Sequence, residues 1–192
     1  MYLLRVLILF IIGFSGSLLS VEAAADVGGQ PASGFLLNKP TASGQGVVHG
    51  NMFPYTIYYD PAKWEMFAGN PGDEREYTFS PVDGSQAQVW VEFRSERVHY
   101  QELPQNLIDE VTADGLSDVQ IELFEMLEVN GKYYIFIHMT ADTGDDDKLM
   151  GYIFHYLTDA GMLRLAFVTL ESEGDVHDQD FQDLLFSTEL QD

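Results

Sequence analysis

The chain has 192 residues, 46% hydrophobic and 13% aromatic, a composition typical of a folded protein rather than a disordered one. Nine Lys and Arg stand against 31 Asp and Glu, a formal net charge of -22. This excludes binding to nucleic acid and to anionic membranes, because both require clustered basic side chains. The chain has no cysteine, which excludes disulfides, thiol chemistry and a lipid-modified cysteine.

Residues 1–25 have the composition of a secretory signal peptide. A short positive start precedes an apolar stretch over 6–19, and cleavage after Ala23 or Ala25 fits the small residues that follow. The apolar stretch is shorter than the ~20 residues of a spanning helix, so an uncleaved anchor is the less favoured alternative. We therefore expect a periplasmic or secreted protein with no membrane span in the mature chain.

Residues 26–50 are rich in Gly, Ser, Ala and Pro and show no apolar period, which predicts a flexible leader. A Gly-x-Gly at 44–46 follows no predicted strand, and the next glycine, Gly50, lies one place too late for a dinucleotide-binding fingerprint. Residues 51–192 contain no repeat and are long enough for one domain with a core of useful size.

Three strands are predicted at the start of this domain, over 55–61, 76–81 and 86–97, separated by Gly, Pro, Asn and Asp turn signals. The third segment alternates, with Val89, Val91 and Phe93 on one side and Trp90, Glu92 and Arg94 on the other. This alternation predicts a strand with one buried face.

The second half of the domain reads as four longer strands. The segments 119–129 and 132–140 flank the Asn-Gly pair at 130–131, the strongest short-range signal of a β-hairpin. The segments 148–158 and 162–170 follow, and both are apolar on their two sides. Strands of this kind need cover on both faces of their sheet.

Two helices supply that cover. One is predicted over 104–115, where Pro104 suits the first helical position and Gly115 is a natural stop. The other is predicted over 178–190, where Phe181 and three further residues form a stripe at helical spacing. The predicted class is therefore α+β, an α/β/α sandwich around a central antiparallel sheet.

The order of these elements resembles the PsbP/DcrB-like superfamily. The residues that carry the resemblance are the "DPAKW" turn at 60–64 and the "VNGKYY" hairpin at 129–134, within a match that covers about 55–190. The resemblance implies a non-catalytic binding or assembly domain, since such proteins include photosystem accessory subunits, envelope proteins and secretion-effector chaperones. Many bacterial members are lipoproteins, from which this cysteine-free chain departs.

The acidic loop at 142–147, "DTGDDD", is the strongest candidate for a metal site. It supplies four carboxylates and a glycine, yet its spacing is not that of an EF-hand and the closing glutamate is missing. We interpret it as a solvated turn, with weak calcium binding as the alternative.

The histidines show no metal-ligand spacing. The five are His49, His99, His138, His155 and His177. If residue 141 pairs with residue 148, His138 faces 151 and His155 faces 134, so the two lie several residues apart. We predict that both are sheet-face residues rather than ligands.

The other polar patterns are also weak. Carboxylate pairs such as Glu122 with Glu125, or Glu171 with Glu173, are expected by chance among 31 acids. Tyrosines could line an apolar groove, although core filling is commoner for aromatics on central strands. They are Tyr55, Tyr58, Tyr59, Tyr133, Tyr134, Tyr152 and Tyr156.

The sequence therefore predicts a non-enzymatic module with a protein partner in the cell envelope. No catalytic, cofactor-binding or metal-ligating residue and no cofactor is predicted. The alternative is a binder of divalent ions or small ligands, through the acidic loop or a tyrosine-lined cleft, and an unrecognised hydrolase is a third, weaker reading. A contiguous apolar patch on one exposed face would favour the protein partner.

Overall fold

The computed structural model of the protein describes residues 46–144 and 147–191, apart from the side chain of Asp175. The predicted signal peptide and most of the predicted leader lie outside the described residues. The described chain begins in a strand at Gly46, earlier than the glycine-rich composition of 26–50 indicates.

The described residues contain ten strands, which form two antiparallel sheets, and two α-helices. A small sheet has the order β1-β2-β10, with β1 Gly46–His49, β2 Tyr55–Tyr59 and β10 Thr188–Leu190. A large sheet has the order β3-β4-β5-β9-β8-β7-β6. Its strands are β3 Trp64–Ala68, β4 Arg75–Pro81, β5 Gln88–Arg94, β6 Ser117–Val129, β7 Lys132–Asp142, β8 Lys148–Thr158 and β9 Gly161–Leu170. The predicted α+β class with an antiparallel sheet is confirmed, but the segment beginning at 55 belongs to the second, smaller sheet.

Helix α1, Leu103–Ala113, packs on one face of the large sheet. Leu103 and Leu107 on α1 are buried against the sheet side chains Trp90, Ile137 and Ile153. Helix α2, Gly174–Phe186, packs on the opposite face together with the small sheet. The buried side chains on that face include Ile57, Phe79, Phe136, Phe154, Phe167, Phe181 and Leu184. A helix thus lies on each face of the large sheet, as predicted.

The end of the chain differs from the prediction of a helix over 178–190. Helix α2 starts at Gly174 and ends at Phe186, and Thr188–Leu190 forms β10, where Thr188 pairs with Ile57. A helical stripe and the first residue of a strand both place apolar residues inward, so the sequence pattern alone does not separate them.

The "DPAKW" turn fixes the start of the large sheet. The backbone carbonyl of Asp60 accepts hydrogen bonds from the amides of Lys63 and Trp64, at 3.0 and 2.9 Å, and its carboxylate accepts one from the amide of Ala62 at 2.9 Å. These bonds turn the chain so that Trp64 is buried in the core. Lys63 also reaches Asp180 on α2, with an Nζ–Oδ1 distance of 2.5 Å.

Glu76 on β4 ties the small sheet to the large one. Its buried carboxylate accepts hydrogen bonds from the amides of Asn51 and Met52, at 3.0 and 2.8 Å, and from the hydroxyl of Tyr55. Burial and the nearby carboxylate raise the pKa of Tyr55, which stays a neutral donor. One carboxylate thus binds three groups in and next to the connection between β1 and β2, which a backbone hydrogen bond from Gly50 to Tyr55 also closes.

Candidate binding surface

The turn between β6 and β7 has the conformation that its sequence predicts. Asn130 and Gly131 have φ angles of 52° and 74°, the pair of positive values that an Asn-Gly hairpin turn requires. The side-chain amide of Asn130 donates a hydrogen bond to the carbonyl of Phe186, at 2.6 Å. The far end of the hairpin is thereby fixed to the C-terminal end of α2.

An apolar surface lies beside this turn, on the face of the large sheet that carries α1. We call it the hairpin surface. It consists of Phe124 and Met126 on β6, Tyr133 on β7 and Leu157 on β8, which are 38%, 56%, 62% and 36% exposed. The strand registers pair Met126 with the buried Ile135, and Phe124 with the buried Ile137. The exposed side chains therefore continue the apolar core outward, beyond the part of the sheet that α1 covers.

A buried cluster of charges lies on the same sheet face, at the end that α1 covers. We call it the charged cluster, and its members are Arg75, Glu92, Arg94, Glu110 and Arg164. Glu92 and Arg164 are 2% and 4% exposed. The prediction that β5 has one buried face is wrong, because the face with Glu92 is buried too.

Each carboxylate of the charged cluster accepts hydrogen bonds from two arginines. Glu92 accepts from Nε of Arg75 at 3.0 Å and from Nε of Arg164 at 2.8 Å. Glu110, on α1, accepts two hydrogen bonds from Arg94, at 2.8 and 3.2 Å, and two from Arg164, at 2.7 and 2.9 Å. Arg75 also lies over the ring of Trp90, 4.3 Å from its centroid. Because each buried charge has an opposite partner, the cluster can be enclosed under the helix.

These contacts shift the protonation equilibria. Burial raises the pKa of Glu92 and of Glu110, but the adjacent arginines outweigh it and hold both pKa values below their usual range. His155 lies next to Arg164 in the sheet. Burial, with a smaller contribution from Arg164, lowers the pKa of His155 to about 3. The carboxylates are therefore charged and His155 is neutral at pH 7.

A groove of about 680 Å³ lies behind the hairpin turn, on the opposite face of the sheet. It separates the turn from β10, and two of the seven predicted tyrosines, Tyr58 and Tyr134, line it with Asn130 and Lys132. The other predicted tyrosines do not line it. Tyr55, Tyr59, Tyr152 and Tyr156 belong to the core or pack against it, and Tyr133 belongs to the hairpin surface.

The acidic loop is only partly described, since Asp145 and Asp146 lie outside the described residues. Asp142 accepts a hydrogen bond from the amide of Gly144 at 2.7 Å, and Asp147 accepts one from the amide of Lys148 at 2.9 Å. Across 46–144 and 147–191, no group of three or more His, Asp or Glu side chains is arranged to hold a metal ion. The described carboxylates thus stabilise the turn itself.

The prediction that His138 and His155 are sheet-face residues is confirmed, but the predicted register of the β7–β8 hairpin is wrong by one residue. Asp142, not Ala141, pairs with Lys148, so His138 faces Tyr152 and His155 faces Ile135. Opposite charges at the closing pair favour this register. His138 and His155 point to opposite faces of the sheet and are sheet-face residues, as predicted.

The paired carboxylates do not converge on a site. Glu122 accepts a hydrogen bond from the hydroxyl of Thr140 at 3.2 Å, and Glu173 accepts one from the amide of Gln86 at 3.1 Å. Glu171 lies on the surface. Glu125 is half-buried, and its Oε1 atom has no hydrogen-bond partner among the described residues.

Neither helix in the described parts of the chain is long and apolar enough to cross a membrane. The fold is a PsbP-like fold, as predicted. The chain is similar in structure to cyanobacterial PsbP (CyanoP) from Synechocystis, with a TM-score of 0.57 and 12% sequence identity, over 79% of this chain and 98% of that chain.

Two other solved structures resemble it less. A protein from Bacteroides thetaiotaomicron gives a TM-score of 0.46 at 8% identity, over 72% of this chain and 45% of that chain. A protein of unknown function from Pseudomonas aeruginosa gives 0.45 at 8% identity, over 76% and 96%. No protein-family model matches the chain, and no curated protein matches its sequence.

Sequence reasoning missed both the hairpin surface and the charged cluster. The sequence does contain a signal for the hairpin surface. On a strand with several acidic residues, the apolar side chains Phe124 and Met126 lie on one side and Leu127 lies on the other. Apolar residues on both sides of an acidic strand indicate that one apolar side is exposed. The cluster has no comparable signal, because its members come from four elements and Arg164 lies 72 residues from Glu92 in the chain.

Proposed function

We propose that the protein is an exported, non-enzymatic module that acts by binding a protein partner in the cell envelope or outside the cell. The observation that carries this proposal is the hairpin surface. Four large apolar side chains lie next to one another at one end of a sheet face, on a protein whose surface is otherwise strongly acidic. Contiguous exposed apolar patches mark interaction sites.

The composition of the hairpin surface suits a protein interface. Aromatic residues and methionine are enriched at the buried centres of interfaces, and Phe124, Met126 and Tyr133 are of these types. The side chains rest on buried Ile135 and Ile137, so the strand backbone beneath them is held by the core. A partner would therefore meet a surface that is already ordered, which lowers the entropic cost of binding.

The charged cluster supports a structural role for the ionisable groups that it contains. Its carboxylates are held in their charged form by arginines, and a general base or nucleophile would need a free, accessible group with a pKa near the working pH. Export is proposed from the signal-like composition of residues 1–25.

The test is affinity capture of the tagged protein from native envelope extract, with crosslinking and mass spectrometry. The wild type is compared with a variant carrying Met126→Ser and Tyr133→Ser. The matched control carries Phe67→Ser and Val82→Ser, which removes two exposed apolar side chains at the opposite edge of the large sheet.

We expect one stoichiometric partner in the wild type and in the control, and at least a tenfold lower recovery with the hairpin-surface variant, since interface anchors dominate affinity. A partner recovered equally by all three proteins would contradict the proposal.

A small ligand in the groove is a second candidate, favoured by its volume and by Tyr58 and Tyr134 in its lining. The test is ligand-library screening by thermal shift, with Tyr58→Ala as the discriminating variant. Hits that bind wild type and variant equally would exclude the groove.

A further inference from the structure

Strand β6 is an edge strand of the large sheet. It is 13 residues long and pairs with β7 on one side, and no other strand of the described chain pairs with its outer side. Near the start of β6, Val119 and Ile121 belong to the same apolar cluster as Leu103 and Leu107 of α1, together with Leu116 just before the strand. From Glu122 to Glu128 the outer edge is uncovered by any described element, and an open row of strand amides and carbonyls is a template for another strand.

The side chains along this edge differ between its two faces. Phe124 and Met126 are exposed on the α1 side. On the other side, Glu125 faces Phe136 across the hairpin, and its Oε1 atom is buried without a hydrogen-bond partner among the described residues. Glu122 accepts a hydrogen bond from the hydroxyl of Thr140. The edge thus combines an exposed apolar face with a face that buries Leu127 and carries two carboxylates, and one oxygen of Glu125 has no partner among the described residues.

We propose that the outer edge of β6, from Glu122 to Glu128, binds an extended basic segment of a partner protein as an added β-strand. This inference rests on the proposed function and names the class of partner. Apolar side chains of the added strand lie on Phe124 and Met126, and the Lys or Arg side chains that alternate with them lie on the side of Glu122 and Glu125. Backbone hydrogen bonds give affinity and the alternation gives specificity.

Charge favours this occupant over a second copy of the chain. A two-fold antiparallel pairing centred on Glu125 would place that carboxylate opposite its own copy. Like charges directly opposite one another destabilise a strand pair, and each copy carries a net charge of -22. Acidic side chains on an edge strand oppose self-association, whereas a basic strand relieves their repulsion.

The test uses the full chain and three nine-residue peptides at about 0.15 M salt, which screens bulk charge attraction. The first alternates valine with lysine, the second alternates valine with glutamate, and the third is the lysine peptide with an N-methyl group on every backbone amide. Affinity is measured by calorimetry, and protection of the amides of 122–128 by hydrogen exchange.

We expect the lysine peptide to bind at least tenfold more tightly than the glutamate peptide and to protect residues 122–128. N-methylation should abolish binding, because it removes the donors of the strand ladder. Glu122→Gln with Glu125→Gln should lower the preference for lysine by about tenfold, the effect of two cross-strand charge pairs. The matched control, Glu65→Gln with Glu96→Gln, removes the same charge elsewhere and should leave the preference unchanged.

Three results would overturn the inference. Equal losses in the two neutralised variants would show attraction by net charge alone. Tight binding of the N-methylated peptide, or no binding of the lysine peptide, would show that no strand is added. Protection, without peptide, of those amides of 122–128 that point away from β7 would assign the edge to residues 26–45 of the same chain, or to a second copy if sedimentation also shows self-association.

Failure here is distinguishable from failure of the proposed function. A partner whose capture depends on Met126 and Tyr133, but which leaves the amides of β6 unprotected, would keep the function and refute the strand. A capture that is indifferent to Met126 and Tyr133 would refute the function.

Discussion

On one face of the large sheet, charged side chains are buried at one end and apolar side chains are exposed at the other, the reverse of what is usual in a folded protein. Under α1, the face buries the paired charges Glu92 and Arg164, whereas beyond α1 it exposes Met126 and Tyr133. Met126, Ile135, His155, Arg164 and Glu92 lie in one row across the strands, so the change occurs within a single row. On this sheet face, the reach of the covering helix rather than the residue type decides which side chains are buried.

The charges under α1 can be buried because the helix brings its own carboxylate. Glu110 supplies the second acceptor for Arg164 and fixes α1 at one position along the sheet. Paired buried charges add little net stability, since the cost of their dehydration offsets their attraction, but loss of one partner is expensive. The apolar end has no such constraint.

Breaking the charged cluster should produce the largest effect. Glu92→Gln leaves Arg164 and Arg75 without their shared carboxylate, and we expect the free energy of unfolding to fall by about 3–5 kcal/mol. Urea unfolding followed by circular dichroism measures this. Replacing Glu92 and Arg164 together by leucine should cost less than the single change, and a larger cost would contradict the pairing argument.

The pH dependence of stability should distinguish the contributions of His155 and Glu92, which lie in the same row of the sheet. The folded pKa of His155 is depressed to about 3, so only the unfolded chain gains this proton as the pH falls below about 6.5. Stability then drops by no more than about 1.4 kcal/mol per pH unit for that proton. The depressed pKa values of Glu92 and Glu110 give stability that is present above about 4.5 and lost as the pH falls further.

Urea midpoints between pH 7 and pH 3 test this order. The variant His155→Gln should flatten the slope between pH 6.5 and 4.5 and leave the steeper loss below 4.5. His138→Gln should remove a smaller part, because burial lowers the pKa of this less buried histidine as well. An unchanged slope in the His155 variant would contradict the assignment.

Changes at the exposed end should leave stability almost unchanged. Met126→Ser and Tyr133→Ser lie on the surface, and we expect each to alter the free energy of unfolding by less than about 0.5 kcal/mol. A loss of 2 kcal/mol or more, by the same urea assay, would mean that these side chains serve the core rather than a partner.

The acidic loop should give the smallest effect. Asp142 and Asp147 already accept hydrogen bonds from the amides of the turn, and they are solvated at a hairpin end. We expect no rise in melting temperature in millimolar calcium. A rise that disappears with Asp145→Asn and Asp147→Asn would restore the metal-binding alternative.

The local signals in the sequence predicted the fold well. The Asn-Gly pair at 130–131 determines its hairpin through backbone conformation alone, and Pro104 marks the start of α1 within one residue. Such signals depend only on neighbours in the chain, so one sequence reveals them.

What the sequence did not predict depends on distant contacts. The alternation in β5 places Glu92 on one face, but only the return of α1 determines that this face is buried. The same limit applies to the register of the β7–β8 hairpin, because the one-residue error depends on how the acidic loop closes. It applies also to β10, which is a strand because it pairs with β2. The hairpin surface was not predicted for the same reason, since the exposure of Met126 depends on where α1 ends.

The small sheet has a consequence for the order in which the chain can fold. Strand β2 lies between β1, which precedes it closely, and β10, and the contact of Thr56 with Gln191 joins residues 135 positions apart. Pairings of such long separation form slowly, because the closure of the loop costs entropy before the contacts are made. The small sheet is therefore complete only when residues 188–190 have reached β2.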